Sequence, residues 1–86
     1  MRYVILIEEG PNNFSAYAPD VPGCVATGKT MEETKQQMQE ALAFHFEGMI
    51  LDDERVPQAT TRCAYVDIDM NEIHKRMGRT NKPVGG

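Results

Sequence analysis

"PDVPGCVATGKTMEE", residues 19–33, decides how this chain of 86 residues folds. Pro19 and Pro22 fix φ and carry no backbone N–H, so a strand running into them must stop there. Gly23 admits the backbone dihedrals of a tight turn, and "CVATG" (24–28) then has room for one short strand. Thr30 and Glu33 form a capping box, in which the hydroxyl and the carboxylate each satisfy a backbone N–H at a helix start. The stretch therefore reads as turn, strand and helix N-terminus in succession, with Cys24 a small apolar residue opening the strand.

Upstream, "RYVILIEE" (2–9) is apolar on both parities, with Tyr3, Ile5 and Ile7 on one side and Val4 and Leu6 on the other, which suits a central strand covered on both faces. "GPNN" (10–13) is a turn, and "FSAYAP" (14–19) resumes the strand pattern, so the pair reads as an antiparallel hairpin. Downstream, no proline intervenes from Thr30 to about Leu51. At 100° per residue, Met31, Met38, Leu42 and Met49 fall within about 20° of one line, flanked by Thr34, Ala41, His45 and Phe46. That stripe should pack on the sheet. Phe44 lies off it, and its cover would be either the chain's own loop or tail, or a partner chain.

"RCAYVDI" (62–68) alternates, giving a fourth strand with Ala64, Val66 and Ile68 as its expected core face. "DMNEIHKRM" (69–77) could start a short helix capped by Asp69, and "GRTNKPVGG" (78–86) has the composition of a frayed tail. The expected class is α+β in the order βββαβ, a small, mostly antiparallel sheet with one long helix on one face. Residues 1–69 should form the folded domain and 70–86 a short basic tail, too short for a complete DNA-binding domain.

A chain of this size buries a thin core, so association with another chain would add useful stability, and a homodimer formed through the sheet is expected. The longest apolar run, Tyr3 to Ile7, is far below the roughly 20 residues of a membrane span, and no leader with a cleavage site precedes it; a cytoplasmic protein is expected. The net charge of −4 is unevenly spread. Residues 1–69 hold five Lys/Arg against twelve Asp/Glu, or −7, whereas residues 70–86 hold four against one, or +3. An acidic body disfavours nucleic acid and favours a basic partner.

Catalytic signatures are weak. A nucleophilic Cys24 would need a base and a lowered pKa, yet its nearest cation in sequence is Lys29 and only His45 and His74 could serve as base. Cys24 and Cys63 are better read as reduced, partly buried small hydrophobes. Neither CxxC nor HxxxH occurs, and "GKT" (28–30) lacks the upstream glycine of a phosphate loop. Glu8, Glu9, Asp20, Asp67 and Asp69 stand near strand ends and would be the acids of a relic or weak metal-dependent nuclease of ribonuclease-H-like ancestry, although the strands are too few to complete that fold. No cofactor and no metal site are expected.

The run from Tyr3 to Met49 closely resembles the N-terminal domain of HicB-type antitoxins. The shared features are a first strand ending in acids, a segment of the form "SAY.PDLPGC.A.GDT", and a capped helix ending near "H.EG". Ser15, Ala16, Tyr17, Pro19, Asp20, Pro22, Gly23, Cys24, Gly28, Thr30, Glu33, His45, Glu47 and Gly48 match in order and spacing, and the resemblance covers roughly residues 2–69. It implies a partly ribonuclease-H-like domain without catalytic carboxylates, hence no enzyme. It also implies a protein partner, the small basic HicA-type toxin that cleaves mRNA with a histidine and is neutralised by a domain sitting over that site. The toxin contact would then draw on Glu8, Glu9, Asp20 and Glu47, with Phe44 as an apolar anchor. Members of the family usually continue into a ribbon-helix-helix or helix-turn-helix domain that binds the operator; the 17 residues after Asp69 cannot form either, so the resemblance does not carry operator binding over to this stretch.

Overall fold

The computed structural model describes residues 1–78. Three strands, β1 (Leu6–Glu9), β2 (Phe14–Tyr17) and β3 (Val25–Gly28), form an antiparallel sheet in the order β1-β2-β3. They are followed by a long helix, α1 (Met31–Leu51), and a short one, α2 (Met70–Arg76). This is the small α+β arrangement expected, as far as the order βββα. The tail from residue 79 onward lies outside the described residues.

Register follows from the turns. Gly10 N–H donates to the Asn13 carbonyl at 2.8 Å, closing the hairpin that pairs Leu6 with Tyr17 and Glu9 with Phe14. The ladder stops at Leu6 although the apolar pattern begins at Tyr3, because its partner strand ends at Tyr17 and Pro19 soon after offers no N–H. Two consecutive turns, Val21 N–H to Ala18 O and Cys24 N–H to Val21 O, carry the chain through the proline pair, with Gly23 at φ +85°. Val21 and Cys24 are buried there, so the turn is itself part of the core, and burial raises the Cys24 thiol pKa.

Alternation sends Ile7, Ala16 and Ala26 to the face that α1 covers, where they surround the buried Met38. Thr30 caps α1, its hydroxyl accepting from Glu33 N–H at 3.0 Å. The helix then presses onto β3: a Cβ on Gly28 would stand 2.6 Å from Thr34 Oγ1 and 2.7 Å from Thr34 N, so only glycine permits this approach. The buried Thr34 hydroxyl donates to the Thr30 carbonyl at 2.7 Å and is thereby satisfied. Met31 was expected in the stripe but is exposed, since contact with the sheet begins one turn later at Thr34. A Schellman arrangement ends the helix, with Glu54 N–H on Met49 O and Asp53 N–H on Ile50 O, and Asp53 takes the left-handed position at φ +56°.

At 21 residues α1 is about 31 Å long, more than twice the ~13 Å of a four-residue strand. Its overhanging half reaches the N-terminal segment instead, where Phe46 stacks obliquely on Tyr3 with ring centroids 5.2 Å apart. The Tyr3 hydroxyl in turn donates to the Pro57 carbonyl at 2.6 Å, bringing the chain after α1 back to the sheet end.

Residues 62–68 do not complete the sheet. Among the described residues no ladder includes them, and Tyr65, Val66 and Ile68 are 95%, 82% and 60% exposed. Ala64 and Cys63 are exposed as well, so neither the expected core face nor a partly buried Cys63 is found. The alternating pattern supplies a strand-forming sequence, but a strand needs a neighbour, and the chain leaves its own sheet after Thr61. Asp69 does cap α2 as expected, accepting from Asn71 and Glu72 N–H.

Candidate interaction surface

The back of α1 carries the most distinctive exposed chemistry. Phe44 is 78% exposed, and Glu40, Glu47 and Leu51 lie at i−4, i+3 and i+7 from it, which puts all four on one side of the helix. The helical wheel accounts for the exposure of Phe44: the spacing that places Met38 and Leu42 against the sheet turns Phe44 away from it. The neighbouring His45 and Phe46 belong to the other side, their rings 6.3 Å apart and edge to face.

The open face of the sheet is a second surface. Leu6, Tyr17 and Val25 form a cross-strand row there, all exposed, and Glu8 pairs with Ser15 and Thr27 in the next row. Glu9 belongs to the helix-covered face at the far end of β1 and is exposed. Glu8 and Phe44 therefore point away from opposite sides of the two layers. The five candidate contact residues do not converge on one patch: Phe44 and Glu47 share a helix side, while Glu8, Glu9 and Asp20 stand elsewhere.

Asp20 has a role that the sequence did not reveal. Its two carboxylate oxygens accept from Thr61 Oγ1 at 2.7 Å, Thr61 N at 2.9 Å, Thr60 N at 3.0 Å and Thr60 Oγ1 at 3.1 Å. These bonds stabilise the ionised form, so its pKa is lowered, with the Thr61 hydroxyl the largest cause. The partners are forty residues away in sequence, which no local pattern can signal; a Thr-Thr pair following a proline was the only trace.

Two grooves border the N-terminal segment. One of about 560 Å³ lies between Tyr3, Ile5 and the α1 residues Lys35, Gln39, Leu42 and Phe46. The other, about 470 Å³, separates residues 2–5 from Ala59, Thr61, Arg62 and Cys63. Among the described residues, no three His, Cys, Asp or Glu side chains group as a metal site would require, so the nuclease reading gains no support from them. No helix among them is long and apolar enough to cross a membrane.

Comparison with known proteins agrees with this geometry. Residues 3–84 match the family described as the HicB-like antitoxin of bacterial toxin-antitoxin systems. The fold resembles a chain from a solved HicA3 and HicB3 toxin-antitoxin complex, with a TM-score of 0.58, 25% identity, and 88% of this chain and 86% of that chain covered. An uncharacterized 14.9 kDa protein from the rep-hol intergenic region of Haemophilus phage HP1 is 39% identical over 67 residues. That alignment takes in 78% of this chain and 50% of the phage protein, so the chain spans about half the length of this curated relative. The chain belongs to the HicB-like antitoxin family.

Proposed function

We propose that this chain neutralises a small, basic, mRNA-cleaving toxin of the HicA type in the cytoplasm by covering the toxin's active site, with no catalysis of its own. The observation that carries the reading is the likeness in fold to a chain of the HicA3 and HicB3 complex across most of both chains. The exposed side of α1 supports it with suitable chemistry. Phe44 supplies an apolar anchor, and Glu40 and Glu47 flank it with negative charge. A toxin that handles RNA should present a positive surface, so acids around an aromatic anchor fit its active-site face. Glu8 and Glu9, on the sheet, strengthen the field of an acidic body and speed encounter rather than hold the complex. Asp20 is committed to Thr60 and Thr61 and acts on the contact only by fixing that loop.

Co-expression with a HicA-type toxin tests the proposal. Growth should be rescued and the two proteins should co-purify, with less complex at high salt. Phe44→Ala should weaken binding by more than about tenfold, in keeping with truncation of a central anchor, and Glu47→Lys should slow association. Failure of the unaltered chain to rescue growth would sink the toxin reading. Loss of binding in Glu8→Lys with none in Phe44→Ala would move the contact from the helix to the sheet.

A further inference from the structure

We infer that residues 62–68 form the fourth strand of a second copy's sheet, laid along the free edge of β1 in a reciprocal exchange that makes a two-fold dimer. The inference is independent of the toxin reading.

The arm has the composition of a strand and, among the described residues, none of a strand's partners. Tyr65, Val66 and Ile68 are largely exposed, and an alternating β-prone run in water is a site for pairing with another chain. Its root is held fast, by Tyr3 on Pro57 and by Asp20 on Thr60 and Thr61, so the arm departs from a fixed point at the end of the sheet. The consequence appears in the overall dimensions. The radius of gyration is 18.1 Å and the longest extent 59 Å, where a compact chain of this length would have a radius of about 12 Å.

The receiving edge is equally incomplete. Among the described residues β1 pairs only with β2, so the backbone groups along its other edge carry no ladder. Residues 3–5 lead into β1 without any ladder among the described residues, and a groove of about 470 Å³ separates them from Ala59, Thr61, Arg62 and Cys63 at the root of the chain's own arm. A strand added there would pair with unused backbone N–H and C=O groups. Ala64, Val66 and Ile68, or the opposite parity, would then meet Leu42 and Phe46 at the edge of the 560 Å³ groove, which the helix roofs but no strand closes.

A second copy fits as occupant because arm and edge are encoded in one chain. Two arms and two β1 edges satisfy each other under two-fold symmetry, so the exchange closes on itself at two chains.

Sedimentation of the full chain from about 1 to 100 μM tests the proposal, together with hydrogen exchange at residues 62–68. The expected mass is twice the chain's 9.7 kDa, with the arm amides protected at high concentration and exposed on dilution. Val66→Pro removes an N–H from the middle of the arm, and Val66→Lys keeps the N–H but places a charge on an apolar position. Each should raise the dimer dissociation constant at least about tenfold while leaving the α1 helical signal unchanged, because the arm supports nothing in its own body. A mass of 9.7 kDa throughout the range would overturn the proposal, whether the arm is unprotected, folded back on its own β1, or ordered only by an added toxin. So would a dimer that both Val66 variants leave intact.

Discussion

The body and the arm of this chain are written in the same alphabet and end in opposite states. In the body, Ala16, Ala18, Val21, Cys24 and Met38 are buried around one point. In the arm, Tyr65, Val66 and Ile68 repeat the same apolar alternation and face water. The difference is not hydrophobicity but closure. β2 and β3 each find a neighbour within about ten residues, and α1 is aimed back over them by a cap only two residues after β3. The arm follows a 21-residue helix and a long return, and its root is tied at the end of the sheet rather than along the edge. Amphipathic pattern states that a segment wants a partner; chain geometry decides whether the partner lies in the same molecule.

The sharpest way to separate the two regions is to truncate an apolar side chain in each. Met38 is 0% exposed and sits where helix and sheet meet. Met38→Ala should cost about 2–5 kcal/mol of unfolding free energy, a large share of the stability of so small a domain. Val66→Ala, measured under conditions where the chain is monomeric, should stay within about 0.5 kcal/mol, since nothing packs on it. Urea denaturation followed by helix content measures both. Equal losses would mean that the arm is folded against its own body and would erase the distinction.

A smaller effect is expected where the body is tightest. Gly28→Ala places a methyl against the Thr34 backbone, and that backbone is held by its own helical bond to Thr30. The neighbour cannot yield as a side-chain tip would, so the helix must lift from β3, at a cost of about 1–3 kcal/mol. Gly48→Ala is the matched comparison: its Cβ would meet nothing within 4 Å, and in a helix interior alanine is favoured over glycine by about 0.5–1 kcal/mol. Opposite signs for the two glycines would confirm that close approach, not glycine itself, is what the body requires.

What could be read from sequence divides along the same boundary. Thr30 with Glu33, the proline pair and the helical spacing of Met38 and Leu42 are local signals, and each fixes a feature within a turn or two of itself. Phe44 was legible for the same reason, as the residue that the helical wheel leaves out. The fourth strand was legible as a pattern and not as a pairing, because pairing is set by where the chain is tied after α1. Met31 depended on where the helix first touches the sheet, a distance that no periodicity states. Asp20 matched the family pattern, but its work is done with Thr60 and Thr61, whose position beside it follows only from the folded path.

Asp20 offers the finest test, because it joins the two regions. Its carboxylate accepts four hydrogen bonds from the segment where the arm begins, and these hold its folded pKa below the ordinary carboxylate value. A group with a depressed folded pKa contributes fully above its unfolded pKa, near 4, and loses that contribution as pH falls through the folded value. The Thr60 and Thr61 amide signals should therefore be constant from neutral pH down to about 4 and move below it, with a midpoint under that of an unperturbed aspartate. Asp20→Asn should abolish this titration and loosen the root of the arm at all pH values, while α1 and the Met38 core keep their stability. If Asp20→Asn instead lowered the unfolding midpoint of the whole domain as Met38→Ala does, the return segment would belong to the body, and the boundary between the two regions would move past Thr61.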